Sequence, residues 1–163
     1  LTPDIILLDI MMEPMDGWET LENIKLNPAT RDIPVMMLTA KQLTPDEAEE
    51  YGMYIEDYII KPITHTELYE SIEHVLGRRR SIAEAIRLAG ERGVNQALVS
   101  EYARLVKSVD VNTRLIRILE NTYSHKDRRT GSVEKIENAI NSMKKSLSIQ
   151  QSRLEEIRAQ IGI

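Results

Sequence analysis

Three short apolar runs, each ending in a different polar group, constrain this chain more than any other feature. Ile5-Ile-Leu-Leu-Asp9 ends in a carboxylate, Pro34-Val-Met-Met-Leu-Thr39 in a hydroxyl, and Asp57-Tyr-Ile-Ile-Lys61 in an ammonium. Short continuous apolar runs bounded by turn residues read as buried strands of a parallel sheet. Ligands of open α/β sheets bind where such strands end. The pattern therefore predicts an α/β region with Asp9, Thr39 and Lys61 at one lip of a sheet.

The intervening segments supply the helices. Pro14 and Gly17 turn the chain away from the first run, and Trp18, Leu21, Ile24 and Lys25 mark a short helix broken at Asn27-Pro28. Thr44-Pro45-Asp46-Glu47 is a helix start, with Thr as N-cap, Pro at the first helical position and acids in the first turn. Thr64-His65-Thr66-Glu67 forms a capping box ahead of the apolar stripe Leu68, Ile72, Val75 and Leu76. Residues 1–77 thus read as β-α-β-α-β-α.

The remaining residues, 78–163, read as helical throughout. Gly77-Arg78-Arg79-Arg80 is the expected seam, with Gly77 stopping one helix and Ser81-Ile-Ala-Glu84 opening the next. That helix runs to about Glu91, and Gly93 breaks it. A long segment then carries Leu98, Tyr102, Leu105, Val109, Asn112, Ile116, Leu119 and Tyr123 at alternating spacings of four and three. After the turn Lys126–Gly131, Val133, Ile136, Ile140, Met143, Leu147, Gln150, Leu154, Ile157 and Ile161 repeat that spacing. Two heptad stripes joined by a polar turn describe an antiparallel helical hairpin, or strands of a coiled coil that pair between chains. Leu105, Ile116, Leu119, Ile136, Ile140 and Leu147 are expected in the shared seam. Arg104, Arg114, Arg117, Lys144, Lys145 and Arg153 are expected largely outside it. Each stripe holds one polar position, Asn112 and Gln150, a device that fixes register at some cost in stability.

Charge divides the chain at the same seam. Residues 1–76 hold 4 Lys/Arg against 16 Asp/Glu, and residues 77–163 hold 17 against 10, within an overall −5. The basic half is suited to an acidic partner or to docking on its acidic neighbour. The 163 residues contain no cysteine, which excludes disulfides, thiolate catalysis and cysteine zinc sites. Without a long apolar span or a signal-like start, a cytoplasmic location with no membrane contact is expected.

The segments Leu8-Asp9 to Gly17, Thr39-Ala40-Lys41 and Tyr58-Ile-Ile-Lys61-Pro62 resemble the receiver domain of two-component response regulators. The resemblance implies a flavodoxin-like parallel sheet with the strand order 2-1-3-4-5 known for this family. It makes Asp9 the phospho-acceptor, with Lys61 and Thr39 bonding the phosphoryl oxygens. Tyr58 becomes the aromatic that turns inward as the Thr moves. The Lys61-Pro62 peptide is expected to be cis. Asp9 and the Met11 backbone carbonyl would be Mg²⁺ ligands, and a sensor histidine kinase the phosphoryl donor.

Two departures qualify the resemblance. The first run corresponds to the family's third strand, so roughly 35–45 residues are expected to precede it in the parent. The acids that supply most of the Mg²⁺ ligands would lie there, so Mg²⁺ binding is expected of the parent and not of this piece. Glu13 also stands where many members have Pro.

For the helical half, a self-associating or partner-binding signalling module acting through 95–161 is the leading reading. A helix-turn-helix around residues 85–104, with Ala89, Gly93, Val94 and Val99 at the right spacing, makes DNA the alternative partner. Phosphotransfer on His125 is a third reading, weakened because His125 falls in a turn.

Overall fold

The computed structural model describes residues 2–124 and 131–163. Along the chain run β1 (Ile6–Leu8), α1 (Gly17–Leu26), β2 (Val35–Thr39), α2 (Pro45–Tyr51), β3 (Asp57–Ile60), α3 (His65–Glu91), α4 (Gln96–Tyr123) and α5 (Gly131–Ile161). His125 and most of the turn expected around it lie outside the described residues. No described helix is long and apolar enough to cross a membrane.

The strands form one parallel sheet in the order β1-β2-β3. Leu8 stands opposite Met37, Met37 opposite Tyr58, and Thr39 opposite Ile60. Because side chains alternate along a strand, the apolar runs divide between two faces. Leu8, Val35, Met37 and Tyr58 join Trp18 and Leu21 of α1 and Ala48 of α2 in the larger core. Met36 and Ile59 point the other way, onto Val75 of α3, with Leu68 and Ile72 beside it. Both faces being covered explains why the runs are continuously apolar. The fold is α/β, a partial flavodoxin-like parallel sheet followed by an all-helical C-terminal part.

The helix starts follow their caps. Asp16 accepts from Glu19 N–H at 2.9 Å, and both Thr44/Glu47 and Thr64/Glu67 close reciprocal capping boxes. The expected stop at Gly77 does not occur: α3 continues without interruption from His65 to Glu91. An interior glycine costs a helix only about 1 kcal/mol, and Arg78, one residue on, is buried and fixed by two carboxylates. Ser81 and Glu84 are therefore interior residues of α3 and do not cap a new helix. The stop comes at Gly93, whose φ of 71° is one that L side chains rarely adopt. There Val94 N–H reaches Ala89 O at 3.0 Å and Gly93 N–H reaches Gly90 O at 3.1 Å, a Schellman closure.

The helices α4 and α5 pack along each other, with Ile116, Leu119, Ile140 and Met143 buried and Ile136 and Leu147 partly so. The stripe read for α5 is the one buried. That of α4 is incomplete, because Val111 and Leu115 are also buried, within the same core as Leu21, Ala48 and Tyr58. A single heptad stripe describes one contact face, whereas α4 has two. Of the cations expected outside the seam, Arg114 turns to Asp57 of β3 at 2.8 Å, and Arg153 bridges to Glu101 of α4 at 2.8 Å. Glu101, an early residue of the helix that the DNA reading would place in a groove, is thus engaged within the protein.

Candidate functional site

The turn after β1 is built on a close approach. Gly17, the first residue of α1, donates its N–H to Ile10 O at 3.0 Å. A Cβ at Gly17 would stand 2.5 Å from Ile10 Cα and collide with the Asp9 carbonyl. Only glycine lets α1 begin this near the strand end, which fixes the loop that carries Asp9. The Asp9 side chain is about one-third exposed and points into the lip of the sheet.

Asp9, Thr39 and Lys61 converge there. Lys61 Nζ donates to Asp9 Oδ2 at 2.8 Å, and Met11 N–H donates to Oδ1 at 3.0 Å. Thr39 is fully buried, its Oγ1 accepting from Lys41 N–H at 3.2 Å and its carbonyl from Lys61 N–H at 2.8 Å. The Lys61–Pro62 peptide is cis, as is Glu13–Pro14. The bond from Lys61, then those from Met11 and Thr39, hold the Asp9 carboxyl down at about 2. The site therefore presents an ionised carboxylate at neutral pH beside a half-exposed ammonium.

Behind the lip stands a second layer, of which the sequence motifs reveal Tyr58 but not the roles of Trp18, Tyr51 and Glu47. Tyr58 points inward and is buried, its hydroxyl donating to Lys41 O at 2.8 Å. Burial pushes its phenol pKa up, and the charges of Glu47 and Asp9 add to this. Trp18 stacks on Tyr51 with ring centroids 4.3 Å apart and lies 6.2 Å from Tyr58. Its indole N–H donates to Glu47 Oε1 at 2.9 Å. Glu47 also accepts from Lys41 and from Thr44. A residue expected only to close a helix cap thus ties α1, α2 and the β2–α2 loop together.

The oxygens that the resemblance assigns to a divalent cation are Asp9 and the Met11 carbonyl. No group of three or more His, Cys, Asp or Glu able to hold a metal occurs among the described residues. Mg²⁺ takes about six oxygens, several of them from water, and of the protein ligands that the resemblance assigns the described residues supply Asp9 and the Met11 carbonyl.

On the far side of β3 the helical half is joined to the sheet by charge. Arg78 is buried between Glu56, Asp110 and the Glu56 carbonyl at 3.2 Å. Lys107 reaches Glu56 at 2.9 Å and donates to Met53 O at 3.3 Å, while His74 meets Asp110 at 2.8 Å. Burial pushes Glu56 upward, but Lys107 and Arg78 outweigh it and the net shift is down. For Asp57 burial prevails over Arg114, and its pKa is raised. The acid-rich first half and basic second half foreshadowed such contacts, but not their partners.

Comparison with known proteins agrees with this architecture. Residues 1–73 match the response regulator receiver domain, and residues 78–162, just over half of the chain, match Metanogen output domain 2. The chain belongs to the Metanogen output domain 2 family, with a response regulator receiver segment ahead of that domain. Among its relatives, the heme response regulator HssR of Staphylococcus haemolyticus is 34% identical over 119 residues, 71% of this chain and 50% of that protein. A probable cyclic di-GMP phosphodiesterase of Vibrio cholerae is 33% identical over 122 residues, 68% of this chain and 28% of that one. The chain thus spans half or less of the length of these curated relatives. A solved structure, the N-terminal domain of a response regulator receiver protein from Methanoculleus marisnigri, is 80% identical, covering 45% of this chain and 60% of that one, with a TM-score of 0.36. In this chain a receiver segment with Asp9 at its lip is followed by helices of which α4 packs on β3 and α5 packs on α4 and α2.

Proposed function

We propose that Asp9 accepts a phosphoryl group from a partner sensor histidine kinase, and that the change is relayed to the helical part, 78–163. An Asp9 oxygen bonds phosphorus as the phosphorus–nitrogen bond of the donor imidazole breaks. Lys61 moves its ammonium from Asp9 onto the phosphoryl oxygens, and the Thr39 hydroxyl donates to them. Tyr58 is the switch that adjusts to Thr39. The output then acts by changing how residues 95–161 pair, with the receiver segment or with another protein. The convergence of Asp9, Thr39 and Lys61 carries this reading. Support for the relay comes from β3, which holds Tyr58 on one side and Asp57, bound to Arg114, as its neighbour.

The test compares the full-length protein containing this chain with its Asp9→Asn variant, each treated with acetyl phosphate and Mg²⁺. Acid-labile phosphate is expected on the former alone. Equal labelling of both would overturn the proposal.

A further inference from the structure

Between α1 and α2 lies an open groove of about 370 Å³. Leu21 is buried at its base, and Tyr51, held by its stack on Trp18, forms part of its wall. Leu26 and Tyr54 also line it and are 79% and 42% exposed. Apolar side chains left open side by side, with charged residues around them, mark a surface made to be covered. Each wall repeats one order. On α1, Glu22 precedes Leu26 by four residues, and Glu50 of α2 precedes Tyr54, just past the helix end, by four. Both helices link neighbouring parallel strands and so run the same way. The two carboxylates therefore share one end of the groove, and the two apolar residues the other.

Tyr51 marks the acidic end. Its hydroxyl donates to Glu22 Oε1 at 3.5 Å, and Glu50 approaches the same hydroxyl from α2. Desolvation first, then the charges of Glu50 and Glu22, push the phenol pKa up. Neither carboxylate forms an ion pair among the described residues. Lys25 lines the groove with its stem, but its ammonium is turned into the fold, donating to Arg31 O at 3.0 Å and Ile33 O at 2.8 Å. The charges that act on it belong to Lys107, Glu56, Arg79 and Asp32, none of which lines the groove. The charge the groove presents is therefore negative and uncompensated, and it selects a cationic occupant.

We infer that this groove docks a cationic amphipathic helix of a partner protein. A Lys or Arg of that helix would sit between Glu22 and Glu50, and a Leu- or Phe-like side chain one turn on would cover Leu26 and Tyr54. The spacing fits: residues four apart on a helix lie on one face about 6 Å apart along the axis, the same step that each wall takes from acid to apolar residue. Docking of an apolar helix face between two helices is an established mode of recognition. While Glu50 and Tyr51 line this groove, Ala48 and Gly52 of the same helix face α4 and α5. A docked partner thus bears on a helix that the output helices also touch, without passing through Asp9.

The probe is a fluorescein-labelled helical peptide with Lys and Leu one turn apart, titrated with this chain and followed by fluorescence anisotropy. Saturable binding is expected, weakened about tenfold when the peptide's Lys residues are replaced by Glu or its Leu residues by Ser. On the protein, Glu22→Gln with Glu50→Gln, both at exposed positions, should weaken binding about tenfold. Glu70→Gln with Glu134→Gln removes the same charge from exposed positions outside the groove and should change affinity by less than about twofold. Leu26→Ser should weaken binding about fivefold or more. Asp9→Asn should leave it unchanged, which separates this surface from the phosphoryl-transfer reading. The inference is overturned by absence of saturable binding, by equal losses from the two Glu pairs, or by indifference to Leu26→Ser. Sedimentation of the chain alone supplies the last outcome: self-association abolished by Leu26→Ser would make a second copy the occupant and overturn it as well.

Discussion

Asp9 shows how a single side chain is prepared by its neighbours. Its carboxyl is depressed from 3.8 to about 2, chiefly by the bond from Lys61. Lys61→Met is therefore expected to move the Asp9 midpoint upward toward 3.8, followed by carbon-detected NMR titration; an unchanged midpoint would assign the depression to the backbone. The sign for stability follows. A depressed acid stabilises the fold above its unfolded value and loses that contribution as pH falls toward 2. With Asp9 one-third exposed, solvent screening keeps this contribution small. Gly17 is the more costly residue to alter. Because a Cβ there meets backbone atoms of Asp9 and Ile10, which cannot rotate aside, Gly17→Ala should destabilise by at least ~2 kcal/mol, measured by urea unfolding. The Asp-Gly pair at the strand-to-helix turn was visible in the sequence, but the distance that makes glycine obligatory was not.

Elements were legible to the extent that their causes are local. Both Thr/Glu capping boxes and the three strand ends could be read directly, since caps and burial of a parallel strand depend on adjacent residues. Misreading began where a distant partner decides. Gly77 resembles a stop until Glu56 and Asp110 are seen to hold Arg78 in the next position. Likewise the second buried face of α4 depends on Ala48 and Tyr58, more than fifty residues earlier. The helical Gly77 makes a specific forecast. Its Cβ would meet only Arg80 Nη2, at 3.9 Å, so Gly77→Ala should stabilise by about 0.5–1 kcal/mol, roughly 1–4 °C in melting temperature. A loss of stability would mean that the helix is interrupted there.

At the scale of the whole molecule, receiver segment and output helices share one apolar core, but the charged groups along β3 and α4 decide how that junction responds to pH. Glu56 and Asp57 are adjacent and both almost fully buried, yet they should behave oppositely. Glu56 accepts from Lys107 and Arg78, and its net pKa is lowered. It stabilises the fold above about 4.5, and that contribution is lost as pH falls through its lower folded value. Asp110 is depressed by His74 and Arg78 against its burial and acts in the same direction below 3.8. Asp57 has the opposite sign: burial raises its pKa, so its penalty at neutral pH is relieved on protonation. Although Arg114 lies 2.8 Å away, Asp57 Oδ2 has no well-aligned hydrogen bond. Asp57→Asn should consequently be neutral or stabilising at pH 7, since Arg114 is partly exposed and can be solvated. Glu56→Gln should cost about 3 kcal/mol, because it leaves buried Arg78 short of a counter-charge. Denaturant unfolding followed by the single Trp18 would measure both, and equal losses from the two variants would refute this division. On acidification of the unaltered chain, proton uptake by Asp57 should add stability, whereas the contributions of Glu56 and Asp110 should fall away below their unfolded values of 4.5 and 3.8 as the carboxylates release the cations of α3 and α4.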